Sequence, residues 1–193
     1  MAIRHLNAGQ VNMLLTVAAE SPRDQLMLTL AFQHGLRARE VCSLQLKHFD
    51  LTTEHIQITV QRLKGSLKTT QELLPQTAHM VRAYATKHGL QRNDYLFKGN
   101  VRTKGTHLGY TTFLAAFKKY CLQASIPIAA IKGPHCLKHS CAMAMIPRGI
   151  EYTREHLGHR SLSSTGAYVR VSQQEVNRVA HEVFQNIAAQ QDS

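Results

Sequence analysis

One segment breaks an otherwise helical pattern, and it limits what this chain can fold into. Ile56, Ile58 and Val60 alternate with polar residues, the period-two signature of a strand with one buried face. Gly65-Ser66 marks a turn. Leu73-Leu74, just before Pro75, reads as a returning strand, so 55–75 is expected to form a small antiparallel sheet. Elsewhere apolar residues recur at helical spacing. The expectation is a mainly α domain with a small antiparallel β-sheet, an α+β fold.

The helices have readable punctuation. Asn7 is placed to cap a first helix carrying Val11, Leu14, Leu15 and Ala18. Ser21-Pro22 restarts the chain, since proline suits a first helical turn. Leu26, Leu30 and Ala31 carry that second helix, and Gly35 ends it. A helical turn then runs through Glu40 to Leu44. Residues 77–88 predict a helix closed by Gly89, and 93–109 a polar, basic connection. Phe113, Leu114, Phe117 and Leu122 mark a longer helix; further helices are expected at 135–146, 151–157 and 173–189. No repeat, low-complexity tract or linker divides 1–193, which reads as one domain.

Charge restricts the partners. The formal net charge is +11, and such an excess points to a polyanion, most commonly nucleic acid. From Arg82 to Lys119 run Arg82, Lys87, Arg92, Lys98, Arg102, Lys104, Lys118 and Lys119, opposed only by Asp94. A one-signed stretch of this kind neutralises phosphates and makes binding salt-dependent. No apolar run approaches the roughly 20 residues that span a bilayer, and Met1-Ala2-Ile3-Arg4-His5 lacks the apolar core of a secretory leader. A cytoplasmic protein without a membrane partner is expected. Cys42, Cys121, Cys136 and Cys141 form no CxxC pair and fall on helical segments, so reduced, buried thiols are expected.

Four segments carry chemistry: Gly35-Leu36-Arg37-Ala38-Arg39-Glu40; Arg62-Leu63-Lys64-Gly65 at the strand turn; His135-Cys136-Leu137-Lys138-His139-Ser140; and Leu157-Gly158-His159, followed by Ser163-Ser164-Thr165-Gly166-Ala167-Tyr168. In this order, from about Leu6 to about Val171, they resemble the tyrosine recombinase (phage integrase) family. That family's pattern is G-L-R-x-x-E, a hairpin lysine, H-x-L-R-H-[ST], and L-G-H followed by a tyrosine. Each segment alone is weak; the joint match is specific. The resemblance leads to the expectation that the chain starts directly at the catalytic domain, with no separate core-binding domain before it. In this it is similar to the short fimbrial phase-variation recombinases, whose hairpin also carries R-L-K and a threonine pair, here Thr69-Thr70.

The resemblance implies a site-specific DNA recombinase that cuts and rejoins strands through a 3′-phosphotyrosyl intermediate, with no metal or cofactor. Tyr168 matches the nucleophile, Arg37 the first phosphate-binding arginine, His135 the box histidine and His159 the second histidine. Lys64 matches the hairpin lysine, the acid for the departing oxygen. Lys68, nearer Pro75, is the alternative; Gly65 directly after Lys64 favours the former. Glu40 and His139 are expected to support the pocket from behind. Arg62, Lys68, Arg102, Lys104, Lys118 and Lys119 are expected DNA contacts. One departure stands out: Lys138 occupies the family's second arginine position, keeping the charge but losing the bidentate fork. The implied partners are double-stranded DNA and copies of the chain, four protomers on two sites, weakly associated or monomeric without DNA. Val176, Val179, Ala180, Val183, Phe184 and Ile187 form an apolar stripe that would pack on its own domain or on a neighbouring subunit; both readings stay open.

Other readings exist for single features. Tyr168 alone would be an ordinary half-buried tyrosine, and Arg37 could cap a helix or pair with Glu40. Ser140 beside His139 lacks a third orienting residue, so it reads as a core or capping hydroxyl. His135, Cys136, His139, His156 and His159 suggest zinc, but Cys136 stands where a metalloprotease needs glutamate and Lys138 would repel a cation. The alternatives are a DNA-binding protein on the same fold with little cleavage and, further off, a zinc-dependent hydrolase.

Overall fold

The computed structural model describes residues 5–53, 55–63, 65–99, 106–131, 133–166, Arg178, Ala180 and His181. Lys64, Arg102, Lys104, Tyr168 and almost all of 173–189 lie outside the described residues. The architecture matches the α+β expectation: mostly helices, with one three-stranded antiparallel sheet.

Helix α1 (Ala8–Val17) starts where Asn7 predicts. The Asn7 side chain accepts from Gln10 N–H at 2.9 Å, and the Gln10 side chain accepts from Asn7 N–H at 3.0 Å. Ser21 caps α2 (Pro22–Gln33), its hydroxyl accepting from Asp24 N–H at 3.4 Å, with Pro22 at the first position. Helix α2 is the central element. Leu26, Met27, Leu28, Leu30 and Ala31 are all buried, because α2 packs on α4 (Pro75–Lys87) and α6 (His135–Met145) and also touches α1, α3 (Ala38–Cys42) and α5 (Tyr110–Gln123). A helix with neighbours on every side needs apolar residues all round, not one stripe.

Gly35 takes φ +55°, the left-handed turn that ends α2. A Cβ there would lie 2.4 Å from the Leu157 side chain, so the backbone of this turn sits directly against the end of a distant helix. Helix α3 (Ala38–Cys42) follows at once.

The sheet pairs β1 (Phe49–Asp50) with β2 (Gln57–Val60), and β2 with β3 (Thr69–Glu72). Registers run through Phe49↔Ile58 and Val60↔Thr69. The returning strand comes earlier than Leu73-Leu74. Leu73 still donates to Ile56 O at 2.8 Å, but Leu74 is exposed and leads into α4 (Pro75–Lys87). Strand β1 has no periodic signal because it is only two residues long.

The 93–109 connection is less polar than expected. Leu96, Phe97 and Leu108 are buried, and Leu96 N–H donates to Leu44 O at 2.7 Å. Helix α5 (Tyr110–Gln123) buries Phe113 and Phe117, whereas Leu122, expected on the same face, is 69% exposed. Helices α6 (His135–Met145), α7 (Ile150–Leu157) and α8 (Leu162–Gly166) follow; α8 has no amphipathic signal. All four cysteines are buried and free, and burial pushes the Cys42 thiol up to about 11. Among the described residues no helix is long and apolar enough to cross a membrane.

Candidate phosphate-binding site

Turns from distant parts of the chain meet at one place. The L-G-H turn after α7 lies on the β2–β3 hairpin: Leu67 N–H donates to Gly158 O at 2.9 Å. Gly158 has φ +66°, and a Cβ on it would stand 2.7 Å from Leu67 O. Only glycine allows that approach. The hairpin thereby covers the ends of α2 and α7.

Arg62 forms the knot beneath these turns. Its guanidinium donates to Gly35 O (3.1 Å), His34 O (2.8 Å), His156 O (3.0 Å) and Thr69 Oγ1 (2.9 Å). It lies 3.5 Å from the Glu40 carboxylate, and its side chain has no exposed surface. This corrects the expectation that Arg62 contacts DNA: its donors are spent inside the protein, out of reach of a backbone phosphate. The R-L-K context gave no sign of this, because burial depends on three segments far apart in sequence.

Glu40 is buried beneath Arg37 and the hairpin. Its carboxylate accepts from Arg37 N–H (2.7 Å), Leu63 N–H (2.8 Å) and the Arg37 guanidinium (2.8 Å). Burial alone would raise its pKa, but the two backbone N–H bonds, Arg37 and Arg62 outweigh burial and hold it below the usual carboxylate range. Arg37 therefore both pairs with Glu40 and begins α3. Its guanidinium also donates to Leu63 O (3.1 Å) and Ser66 Oγ (3.3 Å).

Above this layer lies an open cavity of about 360 Å³, lined by Arg37, Gly65, Ser66, His135, Lys138, His159, Arg160 and Ser164. The fold thus brings together Arg37, His135, Lys138 and His159 from three separate motifs. Ser66, Arg160 and Ser164 join them unforeseen. The only advance signal for Arg160 was a positive residue directly after L-G-H.

Lys138 Nζ donates to Gly35 O (2.9 Å) and Leu157 O (3.2 Å) and is buried. Desolvation, then Arg62 and Arg37, lower its pKa from 10.5 to about 7. A neutral amine has two N–H groups, and both face carbonyls here; only the protonated form keeps a third for an anion. His159 is pushed down to about 4 by burial first, then by Lys138 and Arg37, so its ring is neutral at physiological pH. His159 Nδ1 lies 3.0 Å from the fully buried Thr165 Oγ1. If the Thr165 hydroxyl donates to Nδ1, Nε2 carries the proton and becomes a donor. His135 is exposed and packs edge to face on His139, centroids 4.7 Å apart. A cavity of fixed donors and cations is built to hold an anion such as phosphate.

The remaining histidines go elsewhere. His156 Nε2 meets Gln33 O at 2.8 Å, and Cys136 is in the core. Among the described residues no group of three or more metal-ligating side chains is assembled. Ser140 is a buried hydroxyl that accepts from Leu6 N–H and donates to Cys136 O, as its sequence context suggested. Lys68, Lys118 and Lys119 are exposed but do not line the cavity, and Lys119 pairs with Glu20.

The chain belongs to the phage integrase family, whose model matches residues 4–175. Relatives include a tyrosine recombinase of Pseudothermotoga lettingae, 28% identical over 180 residues, covering 90% of this chain and 60% of the relative. Tyrosine recombinase XerA of Pyrococcus furiosus is 31% identical over 172 residues, covering 88% and 58%. The chain thus spans about 60% of the length of these two relatives. The type 1 fimbriae regulatory protein FimB of Escherichia coli K12 is 28% identical over 171 residues, covering 84% of this chain and 82% of FimB. Among solved structures, XerH recombinase bound to difH substrate before cleavage superposes with TM-score 0.79 at 21% identity, over 93% of this chain and 54% of XerH. That likeness establishes the tyrosine recombinase catalytic-domain fold.

Proposed function

We propose that this protein is a site-specific recombinase that binds duplex DNA and exchanges strands through a covalent intermediate on Tyr168. The observation that carries the reading is the convergence of Arg37, His135, Lys138 and His159 on one cavity in a chain of this family. The Tyr168 phenolic oxygen attacks the phosphorus and the bond to the 5′ oxygen breaks. The bond's electron pair leaves on that oxygen, which takes a proton from Lys64; the phenol proton passes to His135. Arg37, His159 and protonated Lys138 hold the non-bridging oxygens, whose charge grows in the transition state. A 5′ hydroxyl then reverses the step on the phosphotyrosine. No nucleotide is needed, because the phosphotyrosyl ester conserves the energy of the broken bond. Glu40 and His139 support the pocket; Lys68, Lys118 and Lys119 on the surface, with Arg102 and Lys104, steer the duplex. Exchange between two sites calls for four copies of the chain, working on chromosomal DNA in the cytoplasm.

The test uses a pool of nicked duplexes with randomised core sequence, in which loss of the short 5′ fragment traps the adduct. Wild type is expected to retain DNA covalently through denaturing gels, and Tyr168→Phe is not. Adduct in the Phe variant refutes the nucleophile, and absence of adduct in wild type, with duplex still bound, favours a binding protein without cleavage.

A further inference from the structure

We propose that Arg160 binds the same phosphate as Arg37 and supplies the guanidinium fork that Lys138 lacks. This rests on the recombinase reading. Three observations lead to it. First, Lys138 lines the cavity from below, with its amine buried and directed at Gly35 O and Leu157 O. Even when protonated it offers an anion one N–H, as a point donor. Second, Arg37 is heavily engaged, donating to Glu40, Leu63 O and Ser66. Third, Arg160 lines the cavity, is exposed, and has no hydrogen-bond or ion-pair partner among the described residues.

The absence of a partner is informative because a carboxylate is nearby in sequence. Glu155 is already paired with Arg154, whose guanidinium also donates to His159 O at 3.4 Å. Arg160 follows His159 directly, so its backbone is fixed by the packed L-G-H turn while its planar fork stays free. An unpaired guanidinium on the rim of a cationic cavity is a standing electrostatic cost unless an anion enters. Two phosphate oxygens match the fork. The division of labour is then clear: Lys138 supplies charge from below and Arg160 supplies geometry from the rim.

The experiment compares wild type, Arg160→Ala, Arg160→Lys, Lys138→Arg and the double variant Lys138→Arg/Arg160→Ala on the nicked pool. Both single-turnover adduct rate and equilibrium duplex affinity across salt are measured. Arg160→Ala is expected to lower the adduct rate about 100-fold, the scale of losing one transition-state donor. Its affinity should fall with a salt slope smaller by about one charge, and its unfolding curve should not move. Arg160→Lys should recover affinity but not rate. Lys138→Arg should restore most of the rate to the Ala variant, since a fork at either position serves the same oxygens.

Arg160→Ala within twofold of wild type in rate and affinity overturns the proposal. So do losses that add fully in the double variant, and so does full activity in Arg160→Lys. If Lys138→Arg does not fold, the Ala and Lys variants decide alone. If wild type forms no adduct, the recombinase reading fails, while a loss of affinity in Arg160→Ala restored by Lys138→Arg still supports the phosphate contact.

Discussion

Replacing Lys138 with methionine should remove a pH dependence of stability that the fold builds in. The amine is buried, and its pKa falls from 10.5 to about 7 on folding. Because the folded value is the lower one, the unfolded chain holds more protons than the folded chain between these two values. Stability therefore rises with pH across that window and is flat below it. At about pH 7 the folded amine is half protonated and the unfolded one fully so; by about pH 9 the folded amine is neutral while the unfolded one remains almost wholly charged. At about 1.4 kcal/mol per pH unit per proton, wild type should gain about 2 kcal/mol between pH 7 and 9 relative to Lys138→Met. Methionine has similar length and no titrating group, so the difference isolates Lys138. Urea unfolding of both proteins at several pH values measures it. The absolute difference at one pH is a poorer readout, because the variant also leaves Gly35 O and Leu157 O without their donor. Parallel stability curves, within about 0.5 kcal/mol across the window, would show that Lys138 stays charged and that burial does not govern it.

The same physics reaches function. A phosphate in the cavity restores charge to Lys138, so DNA affinity should fall by up to tenfold per pH unit above pH 7; Lys138→Arg should lack this decline in a filter-binding titration. Arg62→Met should cost about 3–5 kcal/mol in urea unfolding, because it leaves the His34, Gly35 and His156 carbonyls without their donor and removes one of the two cations beside the buried Glu40 carboxylate; unchanged stability with a reduced salt slope of DNA binding would instead mark Arg62 as a phosphate contact. Thr165→Val should leave stability within about 1–2 kcal/mol yet lower the adduct rate about tenfold, since His159 Nδ1 loses its hydroxyl partner. Gly158→Ala should destabilise by at least about 2 kcal/mol, through its left-handed backbone and the 2.7 Å approach to Leu67 O; a melting temperature equal to wild type would contradict the tight docking of the hairpin.

Much of the fold was legible in local chemistry. Asn7, Ser21-Pro22 and Gly35 punctuate helices because capping and left-handed turns involve only a few neighbouring residues. Strand β2 was readable from Ile56, Ile58 and Val60 because one face of it is buried. Strand β1 and helix α8 were not, being too short for a period to show. Leu122 misled for the opposite reason: it keeps helical spacing on α5, but no described element covers it.

Residue types and their spacing set the site's inventory: a G-L-R turn, a basic hairpin, an H-x-L-K-H box and an L-G-H turn, each a short run whose residue types suit phosphate chemistry. Which cations face the cavity was decided only by tertiary contacts. Arg62 and Arg160 are the same residue type, yet one is buried against the His34, Gly35 and His156 carbonyls and the other stands open on the rim. Burial, and with it the charge on Lys138, depends on packing between residues 103 positions apart. Short-range sequence patterns carry no record of that.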